Sequence, residues 1–413
     1  MGGMGQGVTD RPDQDARERE GGLVRPCPVC ASTEHDLLYQ QRFEDFAAGS
    51  ITNGYDVVAC RSCGMCFASG LPDAGRFAEY YGQSSKYDLS AEGAQATSFD
   101  LQRHRAEAEF IAAHVADRAG PVLDIGTATG GLLVALRDVG FTSVHGVEPS
   151  PDAARQARER YGLDVIAGDA RAAKAWPNGF SVVSLIAVLE HLVDPGSAMR
   201  ETADLLTTDG VVYLVVPDAA RFSGYVDAPY QQFSVEHINY FTLRSLKNLL
   251  RSVGLEVVVA RATTVKPSAD EEGPGIEVLC RRTTHSADIR SDTDGVADLR
   301  RYIMRSAEME SGILERIAQL AEDQGPIYVW GTGTNALHLL ATSRLSECNI
   351  VAFLDSNPHY AGQRLAGRTV MSPGAVHTLE APILVASATS QTAIATAARG
   401  LFGSDVPLIL MYQ

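Results

Sequence analysis

The sequence predicts an α/β protein in three parts: a small cysteine-bearing module, a parallel-sheet core, and a second, smaller α/β domain. Three observations carry that prediction. Of the seven cysteines, five fall between Cys27 and Cys66. From about residue 100 to 260, strand-like and helix-like stretches alternate, the pattern of a parallel sheet with helices on both faces. After residue 326 a strand, a glycine turn and a helix follow one another a second time. A chain of 413 residues also exceeds what one core usually holds. The expected division is a disordered tail over 1–22, the cysteine module over 23–95, the core over 96–262 and a C-terminal Rossmann-like α/β domain over 263–413.

The tail is glycine-rich and then charged. It lacks the apolar stretch of a secretory signal. No apolar run reaches the ~18 residues of a membrane span, so a cytoplasmic location is expected, where thiols stay reduced. The net charge is −16. Such a chain gains nothing from phosphate neutralisation, which argues against nucleic acid as a partner and for a small molecule. The expected state is monomer or homodimer.

Cys27-Pro-Val-Cys30 and Cys60-Arg-Ser-Cys63 are two CxxC pairs. Each can sit on a tight turn and offer two thiolates, and two such turns complete a tetrahedral S₄ site, which suits zinc. Gly64 follows the second pair, where the turn can use a positive φ. Four thiolates leave no open position, so this zinc would be structural. Buried or redox cysteines are the alternative, although a redox pair needs no matching second pair. Cys66 is assigned to packing beside Met65 and Phe67, and Cys280 and Cys348 to the core.

In the core, Val122 to Ile125 reads as a short buried strand, and Gly126-Thr-Ala-Thr-Gly-Gly131 as a glycine-rich turn before a helix from Leu132. Such a turn lets backbone approach a ligand at a strand's carboxyl end. Alone it also fits a nicotinamide enzyme, and Ala128 stands where a glycine is expected. The later strands discriminate better. A second strand ends in Glu148, 24 positions after Asp124, where a carboxylate can accept ribose hydroxyls. A third runs to Gly-Asp169-Ala170, placed to accept an adenine amino group. A fourth runs from Val182 into Glu190-His191.

These ordered motifs resemble class I S-adenosylmethionine (SAM)-dependent methyltransferases over roughly 160 residues. The resemblance implies a Rossmann-like core. It places Gly126 and Gly130 at the methionine moiety, Glu148 on the ribose, and Asp169 and Ala170 beside the adenine. Asp124, Thr127, Pro149, Ala187, Glu190 and His191 complete the implied SAM surroundings.

Past the fifth strand lies Ser234-Val-Glu236-His237-Ile-Asn-Tyr240-Phe241-Thr242. A Glu-His pair among aromatics at a strand's carboxyl end suits proton transfer from an acceptor. Glu236, His237 and Tyr240 are the candidate catalytic residues; a structural histidine is the alternative. Thr242 is the expected cap of the next helix. Tyr80, Tyr81 and Tyr87 connect the cysteine module to the core, where they either close over an acceptor or pack. In the C-terminal third, Lys266 to Gly275 reads as a turn, and Leu299 to Asp323 as a helix. The strand into Gly331-Thr-Gly333-Thr-Asn335 reads as a nucleotide-binding turn or as a scaffold alone. Asp355 ends the strand after it.

The whole order resembles bacterial C-methyltransferases of keto-deoxysugar nucleotides. That resemblance implies a histidine base, His237 beside Glu236, which removes a proton alpha to a ketone. It implies an acceptor such as a sugar nucleotide, with Gly331, Gly333 and Asn335 among its contacts. Ser234 departs from the family's tyrosine at that position, and the family's connector tyrosine matches Tyr80, Tyr81 or Tyr87 only loosely. The alternatives are an O- or N-methyltransferase of a natural product and, in a different class, a SAM-binding accessory protein.

Overall fold

A computed structural model describes residues 24–46, 51–83, 98–176, 179–268, 271–284 and 288–412. Tyr87 and the tail expected over 1–22 lie outside them.

The N-terminal part is an antiparallel sheet of β1 (His35–Arg42), β2 (Gly54–Cys60) and β3 (Cys66–Ser69), followed by α1 (Ala74–Gln83). The two cysteine turns sit at its edge. Gly64 has φ +75°, as expected, and a Cβ there would lie 2.6 Å from the Asp292 carbonyl oxygen.

The core comprises α2 (Ser98–His114), β4 (Val122–Ile125), α3 (Gly131–Asp138), β5 (Val144–Glu148), α4 (Pro151–Tyr161), β6 (Asp164–Ala167), β7 (Phe180–Ile186), α5 (Pro195–Asp204) and β8 (Leu206–Pro217). A short strand, β9 (Asn239–Tyr240), leads to α6 (Leu243–Ser252) and the hairpin β10 (Leu255–Ser268) and β11 (Glu271–Arg282). The sheet order is β10-β11-β8-β7-β4-β5-β6. All four β4 residues are buried, as a central parallel strand requires. β4 pairs in parallel with β5 on one side and β7 on the other. The chain order reverses there, and such a switch point places a ligand beyond the strands' carboxyl ends. Thr242 caps α6 in a capping box with Ser245, and Leu246, Leu249 and Leu250 bury one helical face.

Two expectations need correction. The boundary at 262 falls inside β10, and the core sheet runs on to Arg282. The stretch read as a turn from Lys266 is mostly strand: Gly273, Pro274 and Gly275 pair with β10, and Gly275 also with Pro217 of β8. Glycine and proline signalled a break, yet tertiary pairing overrode them.

The C-terminal part starts with α7 (Thr293–Asp323), longer than the expected helix because Asp292 caps it well upstream of Leu299. Leu299, Tyr302, Ser306, Ile313 and Ile317 form its buried face. Then come β12 (Ile327–Trp330), α8 (Thr334–Thr342), β13 (Ile350–Leu354), β14 (Arg364–Leu365), β15 (Arg368–Met371), β16 (Ile383–Val385), α9 (Gln391–Phe402) and β17 (Leu408–Leu410). The sheet order is β14-β15-β13-β12-β16-β17. β9 crosses between parts: it pairs with β3 as the fourth strand of the N-terminal sheet. No helix among the described residues is long and apolar enough to cross a membrane.

Candidate functional site

One cavity of about 1130 Å³ runs from the carboxyl end of β4 to the carboxyl end of β12. Residues from all three parts line it.

At the β4 end, Gly126 has φ +77° and its N–H donates to the Val147 carbonyl at 2.8 Å. Ala128 also adopts a left-handed φ, +51°, which explains why glycine was the expected residue there and costs ~1–2 kcal/mol. That conformation aims the Ala128 N–H at Glu148 Oε2, 2.8 Å away, while the Ser150 N–H donates to Oε1 at 2.9 Å. Glu148 is therefore fixed before any ligand arrives. Asp124 is buried, accepts from Ser184 Oγ at 2.7 Å, and is pushed up to about 6 by that burial. Thr127, Pro149, Ala187, Glu190 and His191 line the same cavity.

Three sequence candidates do not. Gly130 turns inward, where a Cβ would lie 2.3 Å from Leu163 Cδ1. Asp169 caps a short 3₁₀ turn that begins at Ala170, and it is held by Arg171 at the surface, which keeps its carboxyl below the usual range. Ala170 packs with the core. Gly130 was expected at the methionine moiety and Asp169 and Ala170 beside the adenine, and none of the three lines this cavity.

The opposite wall is the loop from Tyr230 to Tyr240. Tyr80 donates to Glu236 Oε1 at 2.9 Å. Burial, and then Glu236 itself, push the Tyr80 phenol up, so it stays a donor. His191 Nδ1 lies 3.1 Å from the Tyr81 hydroxyl and 3.2 Å from the Glu236 carbonyl oxygen. A carbonyl only accepts, so the Nδ1–H tautomer satisfies both contacts and leaves Nε2 basic. The His191 and His237 rings meet edge to face, with centroids 4.8 Å apart. Ligand-capable atoms of Glu190, His191 and His237 all fall within 4.8 Å of one another. His191, expected near SAM, thus also belongs to the acceptor side.

Tyr240 is corrected. Fully buried beneath the loop, it donates to the Tyr55 hydroxyl at 3.2 Å and does not line the cavity. Its ring packs against Phe233 instead, with centroids 5.0 Å apart. Tyr55 in turn donates to the Ser234 carbonyl at 2.7 Å, and Ser234 Oγ accepts from the Glu236 and His237 N–H groups. The serine at the departure position therefore shapes the turn that presents the Glu-His pair.

The sequence reading missed the remaining supports. Arg25 is buried, which lowers its guanidinium to about 10. It donates to Asn239 Oδ1 at 2.7 Å and to the Val193 carbonyl at 2.9 Å. Gln41 donates to the Phe233 carbonyl at 2.8 Å. Tyr230, at φ +52°, stacks on Tyr39 with centroids 4.1 Å apart. The Tyr302 hydroxyl accepts the Gln232 N–H at 2.9 Å. No local spacing signals such contacts.

Gly331, Gly333 and Asn335 line the far end of the cavity. Asn335 Nδ2 also donates to the Ala386 carbonyl at 3.0 Å and to the Tyr412 hydroxyl.

Outside the cavity, the four sulfurs of Cys27, Cys30, Cys60 and Cys63 form one cluster. Cys27 lies 3.5 Å from Cys63, and Cys30 3.4 Å from Cys60, each contact joining one turn to the other. A tetrahedral Zn–S₄ centre with ~2.3 Å bonds has edges of about 3.8 Å, so the set fits zinc. Cys66 stands apart, its thiol donating to the Gly64 carbonyl.

Residues 98–260 match the family model described as a methyltransferase domain. A ubiquinone biosynthesis O-methyltransferase of Neisseria meningitidis serogroup C is 29% identical over 112 residues, which cover 25% of this chain. The chain spans 47% of that relative's length. Among solved structures, magnesium protoporphyrin IX methyltransferase from Synechocystis PCC 6803 with bound SAM is 17% identical, at a TM-score of 0.37, covering 52% of this chain and 98% of that one. The CcbJ methyltransferase from Streptomyces caelestis is 18% identical, at a TM-score of 0.35, covering 50% and 96%. With four ordered motifs, a switch-point cleft and a pinned acid at the end of β5, residues 98–260 of this chain are a methyltransferase domain of the class I, SAM-dependent kind.

Proposed function

We propose that the whole protein is a C-methyltransferase acting alpha to the ketone of a deoxysugar nucleotide or a related metabolite, with His237 as general base. The observation that carries this reading is the gathering of Glu236, His237, His191, Tyr80 and Tyr81 opposite the Glu148 end of a single cavity. A neutral amine needs little help, whereas a carbon acid, which is weakly acidic and slow to ionise, needs a base held close to it.

When bound, SAM supplies an electrophilic methyl group. The chain's own residues do the rest. Glu148 holds the ribose and fixes the reagent's position. His237 takes the proton from the alpha carbon and keeps it on its imidazole, which leaves an enolate held where the methyl of a bound SAM would be in reach. Glu236, held by Tyr80, orients the loop and stabilises the charged imidazole. The cysteine cluster would hold a structural zinc, which keeps the N-terminal sheet beneath this loop. The C-terminal turn would take the nucleotide.

The test is incubation in D₂O with 3-keto and 4-keto deoxysugar nucleotides, followed by mass spectrometry. Deuterium entering alpha to the ketone without SAM, and a methyl gained with it, supports the reading. Loss of both in His237→Ala assigns the base. The O-methyltransferase name of the Neisseria relative favours a second reading, methylation of oxygen; a methyl gained with no prior exchange would select it.

A further inference from the structure

The turn after β12 repeats three of the backbone bonds of the turn after β4, with the acid-binding N–H one residue nearer its glycine. Gly126 donates its N–H to Val147, the residue before Glu148. Gly331, at φ +108°, donates its N–H to the Leu354 carbonyl at 2.9 Å, the residue before Asp355. The two carboxylates are pinned alike. Each accepts one N–H from its glycine turn: Ala128 to Glu148, and Thr332 to Asp355 Oδ2 at 3.0 Å. Each accepts another from two residues further on: Ser150 to Glu148, and Asn357 to Asp355 Oδ1 at 2.8 Å. The strand neighbours correspond too, β4 lying between β7 and β5 as β12 lies between β16 and β13. Both acids line the same cavity.

We propose that Asp355 is the hydroxyl-reading residue of a nucleotide subsite at the carboxyl end of β12, accepting one pentose hydroxyl of a nucleoside diphosphate-linked acceptor. The proposal rests on the sugar-nucleotide reading above. A carboxylate at the end of the second strand of such a unit is where a ribose is held. The number of hydroxyls follows from the bonds. Thr332 Oγ1 also donates to Oδ2, at 2.6 Å. Three donors from the described residues thus occupy a carboxylate that has about four acceptor positions. One remains for a ligand, on Oδ1, so a single hydroxyl is read and the other is not.

The experiment is calorimetric titration of the full chain, saturated with S-adenosylhomocysteine, with UDP, GDP and ribothymidine diphosphate. The tightest binder is then compared with its forms lacking the 2′- or the 3′-hydroxyl. Loss of one hydroxyl is expected to weaken binding about tenfold or more, and loss of the other by less than about threefold. In Asp355→Asn the gap should close while S-adenosylhomocysteine binds as before, which also reports that the chain is folded. Equal binding of the deoxy forms by the unaltered protein, or a gap that survives in Asp355→Asn, overturns the role of Asp355. If none of the diphosphates binds while S-adenosylhomocysteine does, the sugar-nucleotide reading itself falls.

Discussion

The two walls of the cavity are built in opposite ways. The wall at the β4 end comes mainly from one stretch of chain: Asp124, Gly126, Ala128 and Glu148 lie within a strand, a turn and the next strand, Glu148 is held by Ala128 and Ser150, and Asp124 takes its bond from Ser184 of β7. The wall opposite makes turn bonds of its own at Ser234 but leans on distant parts of the chain. Its loop is fastened by Arg25, Tyr39, Gln41 and Tyr55 from the N-terminal part and by Tyr302 from α7. On the proposed reading, reagent binding is a local property of the sequence, whereas placement of His237 is a property of the assembled fold. Damage to distant supports should spare the first and spoil the second.

The largest separation is expected from the metal cluster. Cys60→Ser should abolish methyl transfer and lower zinc measured by elemental analysis from one per chain, yet leave S-adenosylhomocysteine affinity within about tenfold, because structural zinc energy is folding energy of its own module. Collapse of both functions together would break the comparison. Next, His237→Ala should cut transfer and alpha-proton exchange by about 10²–10⁴-fold with reagent affinity unchanged. Single-turnover kinetics with calorimetry separates the two effects.

On the cofactor wall the effect has the opposite sign for stability. Burial raises Asp124 from 3.8 to about 6. Its ionised form is therefore penalised in the folded state: the stability tied to this group is present below about pH 4 and lost as pH rises through 6. Asp124→Asn should remove that loss, worth at most about 3 kcal/mol at pH 7.5, while weakening SAM binding. Thermal melts at pH 4.5 and 7.5 check it; a variant that gains nothing at the higher pH contradicts the assignment. The smallest change should come from Tyr55→Phe, which removes the hydrogen bond to Ser234 and the one accepted from Tyr240 and should lower kcat up to about tenfold without moving the KM for SAM.

The same contrast explains what could be read from the sequence. Glu148, Gly126, the Thr242 cap and the positive φ at Gly64 follow from local chemistry, and they were legible. The Glu-His pair was legible as a pair, but Tyr240 was misplaced because adjacency in sequence does not say which way a strand residue faces. Asp169 was read as an adenine partner, since its competitor Arg171, two residues on, carries no motif. The β10–β11 hairpin hid behind Gly273-Pro274-Gly275, residues that punctuate chains except where a neighbouring strand pairs with them. Arg25 acts on residues more than 160 positions away, beyond the reach of any periodicity.

β9 gives the fold an order in time. Asn239 and Tyr240 are the partners that complete the sheet begun by β1, β2 and β3. A ribosome releases that last strand only after the entire parallel core up to β8 has been synthesised. Until β9 is made, Cys66 and Phe67 of β3 have no strand partner on that side. Excised alone, the first 83 residues would carry the cysteine turns but lack the strand that closes the sheet beneath them.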